Sequence, residues 1–291
     1  MVKVAGQNAE FLRFCEIYDK IVAGWDFEVQ SRYVSTEFGR THTLMAGDAD
    51  APPLVLLHGG NSTSIMWEEF FRKLASNFRV IAVDLIWDYG KTCYQKPVKK
   101  VEDYLKWLED LLKAIGIKKA YFAGFSYGGW VLINLCLHRP ERVLKATFYA
   151  PAGGLTPLSL KFMMQAAWTF VFPQKKVIKE FFLSASHQNL HSDPDYIKEV
   201  DELVELVEAG RKLKASFLPP RVFTDQELSS LETPIQIFIG EHEVIYNAHK
   251  AIDRAKKCIK SAESFLLINA SHDLVYTYKD YLCKQIADFC Q

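Results

Sequence analysis

The chemistry of this chain gathers around a serine, a histidine and a glutamate that are far apart in sequence. Ser126 lies in Gly124-Phe-Ser-Tyr-Gly128, between an apolar run starting at Ala120 and a helix-patterned segment reaching about His138. A serine at the apex of a strand, sharp turn and helix is held in a strained backbone with its hydroxyl exposed. Small residues two before and two after it let strand and helix approach closely. G-x-S-x-G recurs by chance, and its context makes it specific here. Ser126 is therefore read as a nucleophile. A serine hydroxyl reacts once a base takes its proton, and the base needs an acid to fix its tautomer and stabilise its cation. Of eight histidines, His272 directly follows the last core-strand pattern, where loops leaving strand C-termini converge. The acid is expected in the loop after the preceding strand, where Glu241 and Glu243 follow Gly240; residue spacing leaves both open. Asp273 is a weaker choice, because it adjoins His272 and its side chain should leave the loop in another direction.

Acyl transfer also needs donors aimed at the developing oxyanion. Leu54-Val-Leu-Leu-His58-Gly-Gly-Asn61 reads as a strand ending in a glycine-rich turn, so the amides of Gly60 and of Tyr127 form the expected pair. His58 is read as a structural hydrogen-bonding residue. His187 and His191 have the i, i+4 spacing of a helical metal pair but lack a third ligand motif, so they are assigned to a polar surface. The glycines from 124 to 129 match neither a dinucleotide nor a phosphate loop, and no cofactor and no metal are expected.

These residues must be positioned by alternating strands and helices. Ser31 to Glu37 and Arg40 to Ala46 read as a hairpin of edge strands around Phe38-Gly39, after a helix from about Gln7 to Val22. Then come strands at Leu54 to Leu57, Val80 to Asp84 and Ala120 to Ala123, separated by helices at Ser64 to Asn77 and Val101 to Ile115. This alternation implies right-handed βαβ units, so the fold class is α/β, a mostly parallel central sheet flanked by helices. After a strand at Ala146 to Ala150 the alternation stops until about Leu231, then resumes with strands at Ile235 to Ile239 and Ser264 to Ile268. Residues 1–150 and 232–291 are assigned to one core domain, and 151–231 to a helical cap insertion. Phe162, Met163, Met164, Trp168 and Phe170 in the insertion suit an apolar substrate group, with packing inside the cap as the larger part of their role.

Lys plus Arg equal Asp plus Glu at 35 each, which gives no field for nucleic acid or an anionic membrane. Six cysteines follow no disulfide or metal spacing, Met1 to Lys20 lacks the pattern of a signal peptide, and the apolar stretch from Leu155 is broken by Pro157, Lys161 and Gln165. A cytoplasmic location and no membrane span are expected, and a homodimer is compatible with these features.

The chain resembles the α/β-hydrolase superfamily in His58-Gly59-Gly60, the turn around Ser126, Arg139-Pro-Glu-Arg-Val143, the acid loop and the His272 loop. More closely it resembles the bacterial carboxylesterase NP (naproxen esterase) group. The similar pieces are Ser35-Thr-Glu-Phe-Gly-Arg-Thr-His42, Ala51-Pro-Pro-Leu-Val-Leu-Leu-His-Gly59, Val222-Phe-Thr-Asp-Gln-Glu-Leu228 and Gly240-Glu-His-Glu-Val-Ile-Tyr246. The resemblance implies a helical cap and a triad of Ser126, Glu243 and His272, the acid falling three residues after the strand-ending glycine. Two features depart from the pattern: Ser271 replaces the usual glycine before the histidine, and Tyr276-Thr-Tyr-Lys279 replaces an acidic residue and a proline. The expected activity is that of a serine carboxylesterase on a small-molecule ester with an apolar group. The same triad also serves carbon-carbon bond, amide and lactone hydrolysis, and a receptor could keep the same fold to sense a ligand.

Overall fold

In the computed structural model, which describes residues 9–86, 88–172, 174–210 and 218–291, the apolar runs become strands and the amphipathic stretches become helices. The strands are β1 (Gln30–Thr36), β2 (Gly39–Ala46), β3 (Pro53–Leu57), β4 (Arg79–Val83), the short β5 (Cys93–Tyr94), β6 (Ala120–Phe125), β7 (Val143–Tyr149), β8 (Ile235–Gly240) and β9 (Ala262–Leu267). The helices are α1 (Ala9–Ala23), α2 (Glu68–Leu74), α3 (Val101–Ala114), α4 (Tyr127–His138), α5 (Leu160–Val171), α6 (Lys175–Ser184), α7 (Pro194–Gly210), α8 (Asp225–Ser229), α9 (Ala248–Cys258), α10 (Leu274–Thr277) and α11 (Lys279–Cys290). The start of the first expected helix, Gln7, lies outside the described residues.

The strands form one sheet in the order β1-β2-β4-β3-β6-β7-β8-β9, with β5 paired to β2. All neighbours from β4 to β9 run parallel, and β2 is antiparallel to both β1 and β4. Alternate residues of a strand face opposite sides. Val55, Leu57, Ile81, Val83 and Phe122 accordingly join a core under α3, α4 and α9, whereas Leu54, Leu56, Val80, Ala82 and Ala123 join a second core under α1, α2 and α11. A parallel sheet covered on both faces is what makes these strands continuously apolar.

The hairpin departs from expectation in one strand. β1 is an edge, but β2 lies inside the sheet. Thr41, His42 and Thr43 of β2 are buried, and each has a partner: Trp107 Nε1–H donates to Thr41 Oγ1 at 2.7 Å, His42 bonds Asp84, and Thr43 Oγ1–H donates to Arg32 O at 3.4 Å. The expected helix from Ser64 to Asn77 is instead a 3-10 turn, Ser64–Trp67, capped by Thr63, followed by the shorter α2.

Between β7 and β8 lie α5 to α8, with no strand among the described residues. α7 packs on α1, while Phe223, Leu228 and Leu231 at the return join the core beneath α9. Phe162 of α5 packs on Phe181 of α6 with ring centroids 5.8 Å apart. Packing does not absorb its neighbours, however: Met163, Met164 and Trp168 face outward, Trp168 being 56% exposed. Among the described residues the main helix contact of α5 is with α6, and Trp168 meets the Phe172 ring at the end of its own helix, with centroids 4.2 Å apart. The Phe170 side chain lies outside the described residues. No helix among the described residues is long and apolar enough to cross a membrane.

Candidate active site

β6 runs into α4 with a single residue between them, Ser126, whose backbone sits at φ 49° and ψ −112°. Such a conformation costs a non-glycine residue on the order of 1–3 kcal/mol and persists where the surroundings over-determine it. Here the Ser126 N–H donates to Tyr149 O at 2.8 Å, and its carbonyl accepts from Ala152 N–H at 2.9 Å and Trp130 N–H at 3.1 Å. The flanking glycines are required by contact: a Cβ on Gly124 would lie 2.6 Å from Gly128 O, and one on Gly128 would lie 2.2 Å from Leu57 O.

His272, in the loop between β9 and α10, places Nε2 3.0 Å from Ser126 Oγ. Its Nδ1 lies 2.7 Å from Glu243 Oε2 in the loop after β8. Glu243 is fully buried at its side chain and is held by Ile245 N–H, which donates to Oε1 at 2.9 Å. The competing acid points elsewhere: Glu241 Oε2 accepts from Asn269 N–H at 3.1 Å. Asp273 is buried beside His272, and neither of its carboxylate oxygens has a hydrogen-bond partner of good geometry. Burial raises its pKa to about 6, although the nearby Tyr196 hydroxyl and His272 act to lower it. The Phe125 ring lies 5.0 Å from the His272 ring, walling its other side.

The glycine turn after β3 stands beside the first turn of α4, so closely that a Cβ on Gly60 would be 3.6 Å from Tyr127 Cβ. The first amides of a helix point out of its end, and there they favour negative charge. Asp88, which sequence reasoning missed, pins this turn by accepting from Asn61 N–H at 2.8 Å. A carboxylate four residues past Asp84, directly after a parallel strand, was the available signal. His58 Nε2 accepts from Leu85 N–H at 3.0 Å, which leaves Nδ1 to donate to Gly59 O at 2.8 Å. His58 therefore braces the turn.

The remaining histidine pair is local. His191 Nε2 bonds Ser186 Oγ at 2.9 Å, and His187 Nδ1 accepts from Asn189 N–H. Among the described residues no group of three His, Cys, Asp or Glu is arranged to hold a metal ion. The second feature missed in the sequence is a chain that runs inward from the exposed Ser31: Ser31 Oγ lies 2.8 Å from His42 Nε2, and the buried His42 Nδ1 lies 2.8 Å from the buried Asp84 Oδ2. His42 sat in a β-favouring run whose neighbours across the sheet cannot be read from local sequence.

The arrangement at Ser126 can pass the hydroxyl proton to His272 while Glu243 balances the resulting cation. Comparison with known proteins places the chain among enzymes of this build. Residues 52–277 match the family model described as alpha/beta hydrolase fold. The chain is 33% identical over 280 residues to "Carboxylesterase YbfK" of Bacillus subtilis, covering 96% of this chain and 93% of the relative. It is also 33% identical over 279 residues to "Uncharacterized carboxylesterase nap" of the same organism, covering 96% and 92%. The crystal structure of naproxen esterase (carboxylesterase NP) from Bacillus subtilis superposes with a TM-score of 0.88 at 31% identity, covering 98% of this chain and all of the other. A match of this extent, on a parallel sheet that carries Ser126 at its central turn, means that the chain belongs to the alpha/beta hydrolase fold family.

Proposed function

We propose that this protein is a serine carboxylesterase that hydrolyses small to medium apolar carboxylic esters through an acyl-enzyme. One observation carries the reading: the unbroken chain of hydrogen bonds from Ser126 Oγ through His272 to Glu243, set at a strained turn beside a helix N-terminus. Ser126 Oγ attacks the ester carbonyl carbon as its proton passes to His272 Nε2. The carbonyl oxygen becomes an oxyanion held by the amides of Gly60 and Tyr127, each such donor contributing roughly 100- to 1,000-fold in rate. The tetrahedral adduct collapses, and the alcohol leaves with the proton from His272. Water then enters on the same base and releases the carboxylic acid and Ser126. Glu243 holds Nδ1–H throughout and stabilises the imidazolium.

In this reading α5 to α7 form a cap over the core, and the names of the relatives favour esters over other bonds open to the same triad. A cytoplasmic setting and a homodimer complete it. The six free cysteines support the former, and the outward apolar side chains Met164 and Trp168 support the latter.

The test is hydrolysis of p-nitrophenyl esters from acetate to decanoate by the wild type and by Ser126→Ala, with a serine-directed fluorophosphonate as label. Turnover and labelling that both vanish in Ser126→Ala are the expected result. A wild type that neither turns over any ester nor takes the label at Ser126 would overturn the reading.

A further inference from the structure

The peptide next to the base is tied to the helical insertion. Ser271 is almost fully buried, and its Oγ–H faces two carbonyl oxygens, Ala185 O at 2.9 Å and His242 O at 3.0 Å. Ala185 caps the C-terminus of α6, and His242 immediately precedes Glu243. The acid and base loops are already close. His242 N–H donates to Ala270 O at 2.8 Å, and a Cβ on Gly240 would lie 2.5 Å from Ser271 O. At its other end the α5–α6 pair grips the same acid loop, with Ser159 N–H donating to Ile245 O at 2.7 Å.

We infer that Ser271 is a positioning residue that ties the orientation of His272 to the seating of the cap, an inference that rests on the esterase reading above. A hydroxyl has one proton to offer, and here two acceptors stand at nearly equal distance, one on the cap and one on the acid loop. With α6 seated, the proton is shared between Ala185 O and His242 O, and the Ser271 peptide is held from both sides. When α6 lifts, the proton goes wholly to His242 O, and the peptide that carries His272 loses its fixed point on the cap. Nucleophile and base must meet within a fraction of an ångström for efficient transfer, and a displacement of about 1 Å can cost roughly 100-fold in rate. Substrates that press on the cap are therefore felt at His272 through Ser271. An ester with a long acyl group depends on this tie, and a short one hardly does.

The experiment compares wild type, Ser271→Ala, Ser271→Gly and Ser271→Thr on p-nitrophenyl acetate and octanoate, with rates taken per Ser126 titrated by a fluorophosphonate. Ser271→Ala and Ser271→Gly should lower kcat on octanoate about tenfold, with KM within about twofold and acetate lowered about threefold or less. The acid limb of the kcat profile against pH should move in both. Ser271→Thr, which keeps the hydroxyl, should restore most of the octanoate rate. A purely structural Ser271 would lower the titratable fraction and Tm, yet leave per-site kcat, its chain-length dependence and the pH limb in place. That result would overturn the inference. Each variant that folds yields the comparison, so a collapse of one leaves it open to refutation by the others. Loss of turnover and labelling in the wild type would instead strike the esterase reading.

Discussion

Ser126–His272–Glu243 and Ser31–His42–Asp84 are the same three kinds of group in the same order of contact, with bonds of 3.0 and 2.7 Å in one chain and 2.8 and 2.8 Å in the other. What surrounds them differs. Ser126 stands at a positive φ between a strand and a helix N-terminus, beside the glycine turn that follows β3. Ser31 lies on the extended edge strand β1. Asp84 is also drawn into structural duty: it accepts from Ser64 N–H at 2.9 Å, Lys91 N–H at 2.8 Å and Tyr18 O–H at 3.3 Å, joining α1, β2 and the turn after β3. In the proposed reading, a hydrogen-bonded serine, histidine and acid do not make a nucleophile by themselves. A strained apex and amides aimed at the developing charge are also needed.

The sharpest way to break this contrast is to remove each serine in turn. Ser126→Ala should lower kcat by about 10⁴-fold or more, while Ser31→Ala should leave kcat/KM within about twofold. Fluorophosphonate labelling followed by peptide mapping should find Ser126 alone; label at Ser31 in the Ser126→Ala protein would erase the distinction.

The acids should divide the same way. Glu243→Gln should cost about 10³- to 10⁴-fold in kcat with little change in unfolding free energy. Asp84→Asn should instead cost on the order of 3–5 kcal/mol of stability, because Asp84 accepts from Ser64, Lys91 and Tyr18 as well as pairing with His42 and so joins several segments, and should leave kcat per labelled site nearly intact. Denaturant titrations beside steady-state rates decide this, and an inactive but fully stable Asp84→Asn would reverse the assignment.

The two regions also predict opposite dependence on pH. Burial alone would raise the Asp84 carboxyl, but the neighbouring His42 imidazole, with His58 and the Ser64 N–H adding to it, holds it well below the usual carboxylate range. Its stabilisation is present above the ordinary value of 3.8 and is lost as the pH falls below it. Asp273, raised by burial to about 6, binds its proton more tightly folded than unfolded. Stability should therefore decline as pH rises from about 4 to 6 and stay reduced above, by on the order of 3 kcal/mol. The Tm difference between Asp273→Asn and wild type should be small near pH 4 and grow to several degrees by pH 7. A difference that is flat across this range would remove Asp273 as its source.

The smallest effect concerns the helix end itself. Tyr127 O–H donates to Leu218 O at 2.6 Å, so Tyr127→Phe should cost about 1 kcal/mol. The backbone amide remains, and kcat/KM should stay within about threefold. A large loss of rate would shift the role from the amide to the phenol.

Much of the site is legible in the residues because local rules govern it. The Gly124 and Gly128 requirement is a contact between neighbours, and the apolar runs of β3, β4, β6 and β8 follow from a sheet buried on both faces. Elsewhere the deciding partner is remote. β2 looked like an edge because nothing nearby reveals that Asp84 and Trp107 would satisfy its polar side chains. Met163, Met164 and Trp168 looked like packing residues because apolar character cannot report which side of a helix the fold leaves exposed. Asp88 earned no role until the fold carried it to Asn61.

The amino-acid sequence by itself determined the strand–turn–helix at Ser126, the alternation that builds a parallel sheet, and the loops in which a base and an acid would be found. Backbone sterics and hydrophobic period act over a few residues, so they are readable locally. Only the tertiary structure decided that His272 reaches Ser126, which glutamate faces His272, and that Ser271 bridges the base loop to α6. Each of those outcomes depends on the directions of hydrogen bonds between segments 28 to 146 residues apart, and those directions exist only once the sheet has brought the loops together.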